Sequence, residues 1–151
     1  MEQHVIFGTG AAGAAVMQAL VRRGKAVRMI NRSGNPSQAT GSTLPANVEI
    51  CAGDAYDAGQ VRRLTEGAAV VYQCAQPEYH EWQAKFPPLQ AAILDGTAES
   101  HAKLVVIENL YPYGDPAGKP LTEDTPYQPI TRKGRVRLAM HEALMTAHRS
   151  G

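Results

Sequence analysis

Three glycines in His4-Val5-Ile6-Phe7-Gly8-Thr9-Gly10-Ala11-Ala12-Gly13 stand in the spacing G-x-G-x-x-G, after a short apolar run and before an alanine-rich segment. Such a pattern handles phosphate with the backbone. Gly8 permits a tight turn off a strand, Gly10 lets the main chain approach a pyrophosphate with no side chain in the way, and Gly13 lets helix and strand pack closely. Unpaired N–H groups at the helix start then face the anion, with Thr9, Ala11 and Ala12 completing the turn. The spacing also fits a structural turn, or the site of another nucleotide-like ligand such as S-adenosylmethionine. The legible strand before it and the helix Ala14–Arg23 after it favour a dinucleotide.

The end of the second strand discriminates between the two nicotinamide dinucleotides. An NAD site places an Asp or Glu about 20 residues past the glycines, where it accepts hydrogen bonds from the adenosine ribose. Here that stretch reads Asn31-Arg32-Ser33. No carboxylate repels a 2′-phosphate, and the Arg32 guanidinium can grip one in a charge-assisted fork beside Asn31 and Ser33. NADP is therefore expected, with NAD the alternative, and a solvated loop arginine is the plainer role for Arg32. Asp54, in Ala52-Gly53-Asp54, has two roles open to it: accepting from the adenine amino group, or capping the helix that follows.

Positioning these residues requires a parallel sheet. Apolar runs of strand type recur at Val5–Phe7, Ala26–Ile30, Val48–Cys51, Ala69–Cys74 and Leu104–Ile107. Helical stripes lie at Ala14–Arg23, Ala58–Glu66, Leu89–His101 and Ile130–His148, the last with Val136, Met140, Ala143 and Ala147 on one face. Short, continuous, apolar strands read as buried on both faces. Right-handed crossovers then predict an α/β fold: a Rossmann-like doubly wound parallel sheet of five strands in the order 3-2-1-4-5, with helices on both faces. Ligands bind off the carboxyl ends, near the switch between strands 1 and 4. The loops Ala75–Pro88 and Glu108–Pro129 emerge on that edge and flank the cofactor, so Ala75 joins the cofactor-lining set. The third helix is expected to open near Pro87-Pro88, and Ser33–Pro45 to be a polar surface connection.

Taken together, the glycine turn, Gly53-Asp54, the stretch Val105-Val106-Ile107-Glu108-Asn109-Leu110-Tyr111-Pro112-Tyr113-Gly114 and the segment Lys119-Pro120-Leu121-Thr122-Glu123-Asp124-Thr125-Pro126 resemble the extended short-chain dehydrogenase/reductases, the NAD-dependent epimerase/dehydratase family. The likeness covers nearly the whole chain. It implies an oxidoreductase or epimerase acting on a small sugar-like or carbonyl substrate. Members that do redox chemistry at a hydroxyl use a Ser or Thr after the fifth strand, then a Tyr and a Lys separated by three residues. The Tyr transfers a proton, the Lys lowers the tyrosine pKa and holds the nicotinamide ribose, and the Ser or Thr orients the substrate oxygen.

In this chain Asn109 takes the Ser/Thr place. Matching Lys133-Gly134-Arg135-Val136-Arg137 to the family's Tyr-Gly-x-x-Lys puts Lys133 at the tyrosine and Arg137 at the lysine, and none of the six tyrosines has a Lys four residues later. The resemblance thus gives Arg137 a charge near the ribose and Asn109 a hydrogen bond to a carbonyl. Lys133 donates a proton only if burial and nearby cations depress its pKa. An exposed lysine at a helix start is the ordinary case. Tyr111, Tyr113 and Tyr127 offer a proton from another direction, or loop packing. Family members continue into a further strand and a smaller substrate-binding region, so a truncated member is expected, its fifth strand an exposed edge that invites a homodimer.

Composition bounds the rest. With 151 residues and 44% hydrophobic content, one NAD(P)-binding domain over residues 1–151 is expected, since domains hold about 100–200 residues. Fifteen bases against fourteen acids leave a charge of +1 without a basic block, which points to a small-molecule substrate and away from nucleic acid or membrane. Glu2 near the start and Arg22-Arg23 inside the apolar run argue against a signal peptide or membrane span, so a cytoplasmic protein is expected. Cys51 and Cys74 read as free thiols. His141, His148 and His80-Glu81 match no metal-site spacing, so no metal is expected. In Gln76-Pro77-Glu78-Tyr79-His80-Glu81-Trp82 the aromatics either close a lid on a ligand or pack locally, with packing favoured for Trp82. Three functional classes remain: a dinucleotide-dependent enzyme with an atypical active site, a non-catalytic dinucleotide-binding or redox-sensing module, and a fragment without autonomous function.

Overall fold

The structure is a computed structural model that describes residues 2–151. Its elements are β1 (Gln3–Phe7), α1 (Ala11–Val21), β2 (Ala26–Asn31), β3 (Val48–Ala52), α2 (Ala58–Thr65), β4 (Ala68–Gln73), α3 (Trp82–Ala98), β5 (Lys103–Val106) and α4 (Arg132–Ser150), with short 3-10 turns at Tyr79–Glu81 and Tyr111–Tyr113. All the strand pairs are parallel and the order is β3-β2-β1-β4-β5, the Rossmann-like topology the apolar rhythm predicts. The chain forms two compact units. One holds the residues up to Gln76 together with Pro88–Ile107, and so the entire sheet; the other holds Pro77–Pro87 and Glu108–Gly151. Among the described residues no helix is long and apolar enough to cross a membrane.

In the first unit, side-chain alternation divides the core between the two faces of the sheet. Ile6, Val27 and Met29 pack with Met17 and Leu20 of α1, all of them buried. Val5, Phe7, Ile30 and Val71 are buried on the opposite face. There Arg28 Nη1 donates to the Leu64 carbonyl of α2 at 3.0 Å, and a Cβ on Gly96 of α3 would meet Val61 of α2 at 2.5 Å. Right-handed crossovers require this division, with α1 on one face and α2 and α3 on the other. Burial on both faces holds for β1 and β2, is partial in β4, where Ala69 is exposed and Val70 and Tyr72 are half-buried, and fails at the edges. Glu49 and Ala52 of β3 are exposed, and no residue of β5 is fully buried.

Three boundaries differ from the sequence pattern. Helix α1 spans Ala11–Val21 where the stripe suggests Ala14–Arg23, because the glycine turn leads straight into helical backbone. Helix α3 opens at Trp82, so Pro87 and Pro88 lie inside it and the preceding loop is shorter than expected. Each proline removes a helical N–H, a cost that usually ends the helix at that point. The turn ahead of them is held by side chains: Trp82 and Phe86 are buried, Trp82 Nε1 donates to the Pro77 carbonyl at 3.2 Å, and Lys85 pairs with Glu81 at 2.5 Å. On α4 the buried positions are Gly134, Arg137 and Met140, while Ala143 is exposed. The buried face is therefore rotated from the apolar stripe, because a long cation with an aromatic partner takes a core position.

Candidate functional site

The glycine turn is built from backbone contacts that only glycine permits at two of its three positions. Gly8 leaves β1 at φ +107°, and a Cβ there would stand 2.7 Å from the Ala75 nitrogen, at the end of β4. Gly13 sits in the first turn of α1, where a Cβ would fall 2.0 Å from the Gly8 carbonyl oxygen. Gly10 is different. Nothing lies within 4 Å of where its Cβ would be, so the fold itself does not need a glycine there. Gly10 is also the N-cap of α1, and no side chain caps that terminus. The first N–H groups of the helix are left as donors beside an open backbone, with Ala11 and Ala12 exposed. A pyrophosphate is the group these features fit.

Asn31 organises the chain around this turn. Its Nδ2 donates to Thr9 Oγ1 at 3.0 Å and to the Asn35 carbonyl at 2.8 Å, while its Oδ1 accepts from the N–H groups of Ser33 and Gly34 at 3.1 and 2.7 Å. The Asn31 amide is thus engaged within the protein, and Ser33 Oγ also bonds it. Arg32 is exposed beside them and lines a cavity of about 320 Å³ with Ala52, Gly53, Asp54 and Gln60. Asp54 Oδ1 accepts from the Tyr56 N–H at 2.9 Å. The α2 cap is Asp57, which accepts from Gly59 and Gln60, so the capping role considered for Asp54 falls three residues later.

The segment Ser33–Pro45 does more than connect strands. Ser37 Oγ donates to the Thr9 carbonyl and forms a closed turn with Thr40, whose Oγ1 accepts from the Ser37 N–H at 2.9 Å. Ser37, Gln38 and Ala39 then line a cavity of about 490 Å³ with Thr9 and Gly10. The hydroxyl pair Ser37-x-x-Thr40 is the sequence signal for that turn.

The second unit gathers the other candidates. Trp82 packs edge-on against Tyr79 and Phe86, with ring centroids 5.1 and 5.2 Å apart, so the packing reading of Trp82 holds. Arg137 is 1% exposed; its guanidinium lies 4.4 Å from the Phe86 ring and 4.0 Å from Glu108, and burial pulls its pKa down against the raising effect of Glu108. Lys133 Nζ lies 3.9 Å from the centroid of Tyr79. Asn109 Oδ1 accepts from the Tyr111 N–H at 3.2 Å. Tyr113 packs at a tilt against Tyr127, ring centroids 4.9 Å apart, and Tyr127 meets the His141 ring edge-on at 5.0 Å. His141 in turn bonds Glu108 Oε2 at 2.9 Å, which ties it into a network with buried Arg137. Cys51 and Cys74 are free thiols, and burial pushes Cys74 up to about 11. Among the described residues no group of three His, Cys, Asp or Glu could hold a metal ion.

Comparison with solved structures returns the same fold. UDP-glucose 4-epimerase from Bifidobacterium longum, in complex with NAD+ and UDP, superposes with a TM-score of 0.81 at 19% identity, over 98% of this chain and 49% of that one. UDP-N-acetylglucosamine 4-epimerase from Methanobrevibacter ruminantium, in complex with UDP-N-acetylmuramic acid, also gives 0.81, at 16% identity over 99% of this chain and 51% of that one. WbmG from Bordetella bronchiseptica, in complex with NAD and UDP, gives 0.76 at 20% identity, over 94% and 48%. The chain therefore spans about half the length of these structures. No curated protein matches it by sequence. The family model described as NAD(P)H-binding matches residues 8–145, from the first glycine of the turn into the last helix, and the chain belongs to that NAD(P)H-binding family.

Proposed function

We propose that the first unit binds a nicotinamide dinucleotide with preference for NADP(H), and that the protein is an oxidoreductase or epimerase acting on a small sugar-like or carbonyl substrate. The observation that carries the dinucleotide reading is Gly10, a glycine the fold does not require, at the uncapped start of α1. In this reading the Gly10–Gly13 backbone holds the pyrophosphate, Thr9 and Ala75 line the cofactor, and Asp54 accepts from the adenine amino group. Arg32 meets the 2′-phosphate, and Asn31 holds the Arg32 loop in place through its own hydrogen bonds. When bound, the nicotinamide supplies or accepts a hydride. NAD-containing structures among the fold's relatives support the dinucleotide class. The NADP preference rests on Arg32 and on β2 ending in Asn31 with no carboxylate.

A second reading, a dinucleotide-binding or redox-sensing module without turnover, is favoured by the second unit. The residue in the tyrosine place is Lys133, set over the Tyr79 ring, and the residue in the lysine place, Arg137, is buried against Phe86. In the enzyme reading, proton transfer falls to Lys133 or Tyr113 and substrate orientation to Asn109.

Fluorescence titration with NADPH and NADH, repeated on Arg32→Ala, tests the proposal. Loss of one charge-assisted contact of about 1.5–3 kcal/mol predicts roughly 10- to 100-fold weaker NADPH binding in the variant, with NADH unchanged. Equal affinity of the native chain for both overturns the NADP preference, and no binding of either overturns the dinucleotide reading. Turnover over a carbonyl panel that Lys133→Met or Tyr113→Phe abolishes supports the enzyme; tight binding without turnover supports the module.

A further inference from the structure

A cavity of about 540 Å³ in the second unit is lined by Tyr79, Leu110, Tyr111, Leu121 and Ile130 together with Thr131, Arg132 and Lys133. Its volume falls in the range of about 300–1,000 Å³ typical of small-molecule sites. The lining carries two cations and no carboxylate. The unit's carboxylate nearest in role, Glu108, is committed elsewhere, to His141 at 2.9 Å and Arg137 at 4.0 Å. Neither Arg132 nor Lys133 forms an ion pair among the described residues, and Lys133 lies over the Tyr79 ring and acts on the Tyr111 hydroxyl. On one side the hydroxyls of Tyr79 and Tyr111 share a hydrogen bond at 3.4 Å, one donating to the other, which leaves one neutral O–H of the pair as a donor. On the other, Leu110 and Ile130 are 62% and 69% exposed, an unusual state for large apolar side chains that share one hollow.

We propose that this cavity binds a small organic anion, a carboxylate or phosphate monoester carried on a flat apolar body, with Arg132 and Lys133 as its counter-charge and Leu110 and Ile130 against its apolar part. Arg offers a fork matched to either oxyanion and Lys a point charge, so the pair tolerates both. The tyrosine pair supplies one further hydrogen bond through its remaining O–H. The cavity includes Lys133, to which the enzyme reading gives proton transfer, so the inference rests on that reading and names the substrate class of the same site, while needing no dinucleotide in the first unit.

The chain's single tryptophan provides the readout, because Trp82 stands 5.1 Å from Tyr79 and 5.9 Å from Tyr111. The full chain, free of dinucleotide, is titrated with benzoate, phenyl phosphate and uncharged benzamide, following Trp82 emission and backbone amide shifts by NMR. Saturable binding of benzoate or phenyl phosphate, at least 10-fold tighter than benzamide, is expected, with shifts centred on Tyr111 and Thr131–Lys133. Whichever of the two anions binds more tightly identifies the oxyanion. Arg132→Gln and Lys133→Gln each weaken it 10-fold or more, Lys133→Arg restores most of the affinity, and exposed Arg135→Gln leaves it unchanged. Matching melting curves for the variants separate lost binding from lost folding. Benzamide binding as tightly as the anions, both glutamine variants binding as the native chain does, or NADPH displacing the anion competitively overturns the proposal; in the last case the cations serve the dinucleotide's own phosphates.

Discussion

Replacing Gly10 and Gly13 one at a time by alanine separates what the fold needs from what a ligand needs. At Gly13 the added carbon would stand 2.0 Å from the Gly8 carbonyl oxygen, a backbone atom that cannot rotate away. Helix α1 must then shift off β1, and overpacking of this kind costs about 1–3 kcal/mol. For a chain of this size each kcal/mol lowers the melting temperature by roughly 2–4 °C, so Gly13→Ala should melt about 2–12 °C lower. At Gly10 the same carbon meets nothing within 4 Å. The remaining cost is the poorer N-cap, at most about 1 kcal/mol, and a shift of no more than about 4 °C. Binding reverses in emphasis. The new methyl stands between the backbone and a pyrophosphate, and loss of one charge-assisted hydrogen bond of about 1.5–3 kcal/mol makes NADPH roughly 10- to 100-fold weaker. Thermal unfolding by circular dichroism and NADPH fluorescence titration measure the two quantities. A Gly10→Ala chain that binds NADPH like the native one refutes the cradle; a Gly13→Ala chain that melts like the native one refutes the packing argument.

Three further outcomes follow from individual contacts. Asn31→Ala removes the bonds to Thr9, Ser33, Gly34 and Asn35; at about 0.5–1 kcal/mol net each in a half-exposed site, roughly 2–4 kcal/mol of stability is lost, readable in urea unfolding. His4 is buried, and burial holds its pKa below 6.5 despite the opposing pull of Glu2. Because the unfolded chain then binds the proton more readily, the His4 contribution to stability is complete above about pH 6.5 and falls as the pH drops below it; His4→Gln should flatten that part of the stability curve in melts from pH 7.5 to 5. Arg137→Ala empties a space against Phe86 and Trp82 and should cost about 2–4 kcal/mol, whereas Arg137→Met, which refills it without a buried charge, should melt much closer to the native chain.

The parts of this molecule legible in its sequence are those fixed by period and by glycine. Runs such as Val5–Phe7 lead to a parallel sheet because continuous apolar strands are characteristic of sheets covered on both faces. Gly8 and Gly13 announce their close approaches to Ala75 and to each other's backbone. Long-range packing was not legible. Pro87 and Pro88 mark a helix start by local rules, yet burial of Trp82 and Phe86 carries α3 through them. Arg137 stands beside the apolar stripe by pattern, and only the facing rings of Phe86 and Trp82 with Glu108 show why it is buried. At the site, the Asn31 amide looks like a ligand donor in sequence, whereas four residues of the chain claim it in space. The part played by Ser37 depends on a bond to Thr9 across 28 positions, which no local pattern reveals.

The central claim, that the glycine turn at the start of α1 is the dinucleotide site, is tested most directly by amide shifts on addition of NADPH to the isotope-labelled chain. The account predicts saturable shifts at the N–H groups of Gly10, Ala11, Ala12 and Gly13, with companion shifts at Arg32 and Asp54, which in Gly10→Ala need roughly 10- to 100-fold more NADPH. Amides of Gly10–Gly13 that stay in place while NADPH binds, or while saturating NADPH produces no shift anywhere, would contradict it.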